Sequence, residues 1–139
     1  MRFIRIASTN WIHLLGFYIT TYLYGLFAKL IGFEDTYDDW FVTIFYNLIG
    51  IIFLLLTYGL MIVISFYLVI LCLDLLLFQF KKLRLLHIVI MEWAIIIPPF
   101  IYWAFAEDYW LWLALIGSLL TTQLLRRKVL MKKYPQLLP

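Results

Sequence analysis

Apolar residues run along this chain in four long blocks, each closed by a short cluster of charges. The second block, residues 40–80, is the longest, and Asp74 is its only formal charge. At about 1.5 Å per residue a helix of that length runs about 60 Å, twice the hydrocarbon thickness of a bilayer, about 30 Å. Two arrangements fit it: one long tilted helix that extends past the bilayer, or two short spans with a hairpin near Thr57-Tyr58-Gly59. The single helix is favoured. Thr43, Asn47, Gly50, Thr57, Ser65 and Cys72 keep one small or polar stripe through the supposed hairpin, and a hairpin would invert every later loop against the charge pattern. The other blocks predict spans over residues 10–33, 85–106 and 109–125, followed by a basic tail over 126–139.

The charges between the blocks alternate in sign. Glu34, Asp35, Asp38 and Asp39 follow the first span, and Glu107-Asp108 follow the third. Lys81, Lys82 and Arg84 follow the second, while Arg126, Arg127, Lys128, Lys132 and Lys133 follow the fourth, and Arg2 and Arg5 precede the first. By the positive-inside rule both termini and the 81–84 turn face the cytoplasm. The expected fold is therefore all-α: an integral, multi-pass cell-membrane protein whose four transmembrane helices form one domain, an antiparallel bundle, because the loops are short.

Composition agrees. The chain is 66% hydrophobic and 14% charged, against about half and a quarter in soluble domains. A net charge of +3 placed at helix ends does not make a nucleic-acid surface. The 11–33 run is too long for a signal-peptide core and lacks a small-residue cleavage site, so it is expected to remain as a span. Cys72, the single cysteine, forms no internal disulfide and is expected to serve as a small packing residue. The acidic 34–39 stretch lacks the spacing of a calcium loop.

Small residues mark helix-packing faces: Gly25, Ala28 and Gly32 in the first span, Gly50 in the second, and the ladder Ala114, Ser118, Thr122 in the fourth. Leu119, about 100° round from Ser118, is expected to face lipid. Pro98 and Pro99 are expected to kink the third span. Tyr102, Trp103, Phe105, Tyr109, Trp110 and Trp112 form an interfacial aromatic belt.

The candidate chemistry lies at one depth. Counting along each span places His13, Asp74, His87, Glu92 and Gln123 in the cytoplasmic third, with Thr121 and Thr122 beside them. Ionisable groups inside spans are functional candidates by default. The structural reading pairs Asp74 and His87 with the basic turn and gives Glu92 a hydrogen-bonding partner inside the bundle. The functional reading makes Glu92 a proton- or cation-coupling group. Ile88, Ile95 and Pro99 share the Glu92 face, so its partner must come from another span; Thr20, Asp74, Thr122 and Gln123 are candidates. The spacing of these residues fits no metal motif, two lone histidines are no haem signature, and no nucleophile lies near a base. No metal, cofactor or catalytic residue is expected, and an enzyme is not favoured. The expected function is an interaction, assembly or accessory subunit of a larger membrane complex, an immunity-type partner included. Its partners are the lipid bilayer and other membrane proteins or a second copy, with no nucleic acid. The alternative is a small homodimeric channel or proton- or cation-coupled transporter using Glu92, and the third is an integral-membrane lipid-modifying enzyme.

Overall fold

The computed structural model describes residues 2–32, 39–57, 59–78 and 85–133. The acidic stretch 34–38, the basic turn 81–84 and the end of the tail, 134–139, lie outside the described residues. Among the described residues the chain is helical, without a strand: α1 (Arg2–Ala7), α2 (Trp11–Leu30), α3 (Trp40–Leu56), α4 (Gly59–Leu77), α5 (Leu85–Ala106) and α6 (Leu111–Lys133). α4 and α5 are each long and apolar enough to cross a membrane, and α3 is a shorter apolar helix.

The long second block is not one uninterrupted helix. α3 ends at Leu56, and Thr57 leaves helical geometry with φ −105° and ψ −94°. The Thr57 hydroxyl donates to the carbonyl of Phe53 at 2.7 Å, a back-bond that bends helices. Gly59 begins α4 so close to α3 that an added Cβ would stand 3.0 Å from the Leu54 carbonyl oxygen. Yet the chain does not turn back. Lys29 of α2 meets Thr43 and the Asp39 carbonyl, Gly25 faces Asn47, Phe17 packs on Phe66, and Asn10 reaches Asp74. Falling numbers on α2 meet rising numbers on α3 and then α4, so the two helices continue in one direction, antiparallel to α2.

The tightest pairing is α2 against α6, followed by α5 against α6. At its centre Gly16 removes a side chain where Ser118 and Thr122 approach. The Ser118–Thr122 ladder is therefore consumed within the chain. Leu119, assigned to lipid by its position on the helical wheel, is 1% exposed and belongs to the core with Ile70, Ile88 and Phe100. The α6 face turned inward is broad enough to take in both Ser118 and its neighbour. Of the other small residues, Ala28 is buried. Gly32 instead caps α2 with φ +69°, a left-handed conformation that suits glycine. Gly50 has open space around it, and Cys72 is exposed; neither packs inside the bundle. α5 runs unbroken through Pro98 and Pro99, both of which are exposed.

α5 ends in a Schellman motif: the Tyr109 N–H donates to the Ala104 carbonyl at 3.2 Å, across Asp108 at φ 50°. A β-branched residue at positive φ is strained. Asp108→Val is expected to lose about 1–2 kcal/mol and Asp108→Gly to keep the wild-type melting temperature within a few degrees. Thermal unfolding in mild detergent checks both; equal melting of Asp108→Val and wild type would show that the turn does not restrain the α5–α6 connection.

Candidate functional site

The junction between α1 and α2 builds one wall of the site. The Asn10 side chain does not cap α2. It turns inward, and its Nδ2 donates to Asp74 Oδ2 at 3.1 Å. The Asn10 carbonyl accepts from the Tyr67 hydroxyl at 2.8 Å. The Thr9 hydroxyl donates to the Ile6 carbonyl at 2.7 Å and accepts from Arg126 Nε at 3.0 Å. Two turn residues are thereby tied to α4 and α6 at once.

Arg126 is the hub. Its guanidinium is 2% exposed, and Nη2 meets Asp74 Oδ2 at 2.6 Å. Nη1 lies 3.9 Å from Glu92 Oε2, and that same oxygen accepts a hydrogen bond from Gln123 Nε2. Asp74 and Glu92 are both fully buried. A single guanidinium thus joins α2's entry, α4, α5 and α6. Charged pairs of this kind offset the cost of burial only when their remaining hydrogen bonds are supplied, and Asn10, Thr9 and Gln123 supply several of them. Among the described residues no hydrogen-bond donor meets Asp74 Oδ1, Glu92 Oε1 or Asn10 Oδ1.

A second group sits one turn away. His13 Nδ1 and the Thr122 hydroxyl are 2.8 Å apart, and that hydroxyl donates to the Ser118 carbonyl at 2.7 Å. The hydroxyl has one proton to give, so His13 donates from Nδ1. Beneath it the His13 ring stands edge-on to Phe66 with centroids 6.0 Å apart.

Of the residues placed at one depth by sequence, His13, Asp74, Glu92, Gln123 and Thr122 come together on the inner faces of four helices. His87 does not: it is exposed on α5. The Glu92 face of α5 is also different from expectation, with Ile88, Val89, Ile96 and Phe100 buried beside it while Ile95 and Pro99 are exposed. Sequence reasoning missed Arg126, Thr9 and Asn10. Arg126 was hidden in a run of tail cations; its place one turn beyond Thr122, the residue that meets His13, is the signal that would have found it. Among the described residues no group of three or more His, Cys, Asp and Glu side chains is arranged to hold a metal ion.

The charged centre lies inside an otherwise apolar core, and the surface too carries many large apolar side chains. Phe41, Phe53, Met61, Leu68 and Phe105 are each more than half exposed, whereas the charged centre is sealed. Exposed apolar side chains in this number suit contact with a membrane or a partner. Comparison with known protein families, curated proteins and solved structures finds no match.

Proposed function

We propose that this chain is a multi-pass membrane protein that serves as an interaction or assembly subunit of a larger membrane complex. α2, α3–α4, α5 and α6 cross in alternating directions, with the charged centre and the basic end of α6 on the cytoplasmic side, as the positive-inside rule requires.

The observation that carries the interaction reading is the state of α3. It buries only Thr43 and Ile51 and leaves Phe41, Tyr46, Phe53 and Leu56 at least 60% exposed. Beside its α2-facing stripe Gly50 lies open, the kind of small residue that lets a second transmembrane helix approach closely. The occupant suited to that face is an apolar helix of another membrane protein. Purification in mild detergent followed by mass spectrometry is expected to recover a larger membrane protein in fixed ratio. Gly50→Leu, at a position where an added Cβ has open space among the described residues, is expected to remove that partner without changing the melting temperature. Retention of the partner at an unchanged ratio would discard the α3 face.

The transport reading is a second hypothesis, motivated by Glu92 Oε1, which meets no hydrogen-bond donor among the described residues. It is the weaker one because Gln123 and Arg126 already hold the other oxygen, and the cavity beside Glu92 is only about 10 Å³, near the volume needed for one water. Glu92→Gln separates the two. It keeps an acceptor for Gln123, so the subunit reading expects normal folding and partner recovery. A folded Glu92→Gln variant that has lost proton or cation flux in proteoliposomes would promote the carrier.

A further inference from the structure

α4 and α5 are loosely paired, and the cleft between them has two chemically distinct parts. Its shaft is an open groove of about 440 Å³. The floor is Phe66, Ile96 and Phe100, and the rims are Met61, Val69 and Ile95. From Ile62 to Val69 the shaft runs about 10 Å along α4. Its polar content is slight, with Ser65 the one hydroxyl in the lining.

At the α5–α6 turn the shaft opens into a wider mouth of about 450 Å³, lined by Ile62, Trp103, Glu107, Tyr109 and Trp112. Ile62 and Trp103 line both parts, so mouth and shaft adjoin. The Trp103 and Trp112 rings are tilted 45° to one another with centroids 5.2 Å apart, and Phe100 stands edge-on to Trp112 at 5.6 Å. The Schellman turn fixes Tyr109 and Glu107 on either side of Asp108. Three aromatic side chains and one carboxylate therefore line a space that adjoins an apolar shaft.

We propose that this cleft binds a membrane phospholipid with an ammonium headgroup, of the phosphatidylcholine or phosphatidylethanolamine kind. The ammonium sits among Trp103, Tyr109 and Trp112, and one acyl chain lies in the shaft between α4 and α5. Aromatic faces attract cations through their quadrupole, and quaternary ammonium groups are the ligands that aromatic cages hold best. Glu107 adds the opposite full charge at the one point where the headgroup needs it. An anionic lipid without an amine fits the shaft equally well but meets a carboxylate and three negative ring faces at the mouth. This selectivity rests on the membrane placement of the chain and is independent of any partner at α3.

Native mass spectrometry of the detergent-purified protein, with phosphatidylcholine and phosphatidylglycerol of identical acyl chains added in turn, tests it. Phosphatidylcholine is expected to be retained about tenfold better. Glu107→Gln is expected to reduce its retention to the phosphatidylglycerol level while leaving phosphatidylglycerol unchanged, and Trp103→Leu, which lines both parts, is expected to lower phosphatidylcholine retention more than phosphatidylglycerol retention. Val69→Trp, which fills the shaft away from the mouth, is expected to lower retention of both. Equal retention of the two lipids by the wild-type protein overturns the proposal, as does an unchanged preference in Glu107→Gln. Tetramethylammonium at millimolar concentration is expected to lower phosphatidylcholine retention; no competition would mean that the mouth does not read the ammonium. A protein that stays monodisperse in buffer without detergent would instead refute the membrane placement, whatever the lipid result.

Discussion

Arg126→Met is expected to destabilise the bundle by about 3–5 kcal/mol, because removing one partner of a buried ion pair leaves the other charge uncompensated. Two carboxylates are at stake. Asp74 loses a contact of 2.6 Å, and Glu92 loses the positive charge 3.9 Å away. Thr9 also loses the donor that ties the α1–α2 turn to α6. The loss should fall mostly on charge, so Arg126→Met combined with Asp74→Asn is expected to recover a substantial part of the stability. Lys128→Met is the control: Lys128 is exposed two residues further on, and surface substitutions of this kind stay within about 0.5 kcal/mol. Thermal unfolding followed by tryptophan fluorescence in mild detergent, with size exclusion as a second readout, gives all four values. If Arg126→Met melts with the wild type, the charged centre is not a structural keystone, and its burial would have to be explained by function alone.

Much of this arrangement was legible in the chain, and the reasons are physical. Level along a helix bundle follows from counting, since each apolar block begins near a charged cluster and rises by the same step per residue. That is why His13, Asp74, Glu92, Thr122 and Gln123 fall at one level by arithmetic and meet in three dimensions. The same arithmetic cannot say which way a residue points at the boundary itself. Arg126 heads a run of cations and reads as solvated, but the chain's turn at Thr9-Asn10 folds over it and draws it inward. Conversely His87, at a similar depth, lies on the exposed side of α5, a distinction that its weakly amphipathic helix does not announce.

The second block shows how one signal can carry two facts. Its unbroken stripe of small and polar residues implied a single direction, and the contacts from Thr43 to Asp74 along α2 agree with that. The Thr57-Tyr58-Gly59 punctuation was also real, since α3 and α4 are separate helices. Continuity of direction does not require continuity of hydrogen bonding. Periodicity alone likewise misplaced Leu119, because a helix gripped on two sides, by α2 and by α5, buries a wider arc than a small-residue ladder outlines.

Gly16 is the small residue on which the closest pairing depends, and its replacement should be the more instructive experiment. It is the lone glycine in the first half of α2. A Cβ there would meet Thr122 Cγ2 closer than carbon atoms approach and Ser118 Oγ at 3.0 Å. The Thr122 side chain cannot rotate aside cheaply. Its hydroxyl is fixed by the Ser118 carbonyl at 2.7 Å and by His13 at 2.8 Å, and a threonine χ1 is stiff in a helix. Gly16→Ala is therefore expected to cost about 1–3 kcal/mol through overpacking, despite alanine's better helix propensity. Thr122→Ser removes the clashing methyl and keeps the hydroxyl. The double variant Gly16→Ala, Thr122→Ser is accordingly expected to regain most of the loss, giving a coupling energy of about 1–2 kcal/mol in a double-mutant cycle. Thr122→Val, which keeps the methyl and deletes the hydroxyl, should not rescue and should also release His13. Thermal unfolding of the set measures the coupling directly; additive effects of Gly16→Ala and Thr122→Ser would mean that α2 and α6 are not in contact at this point.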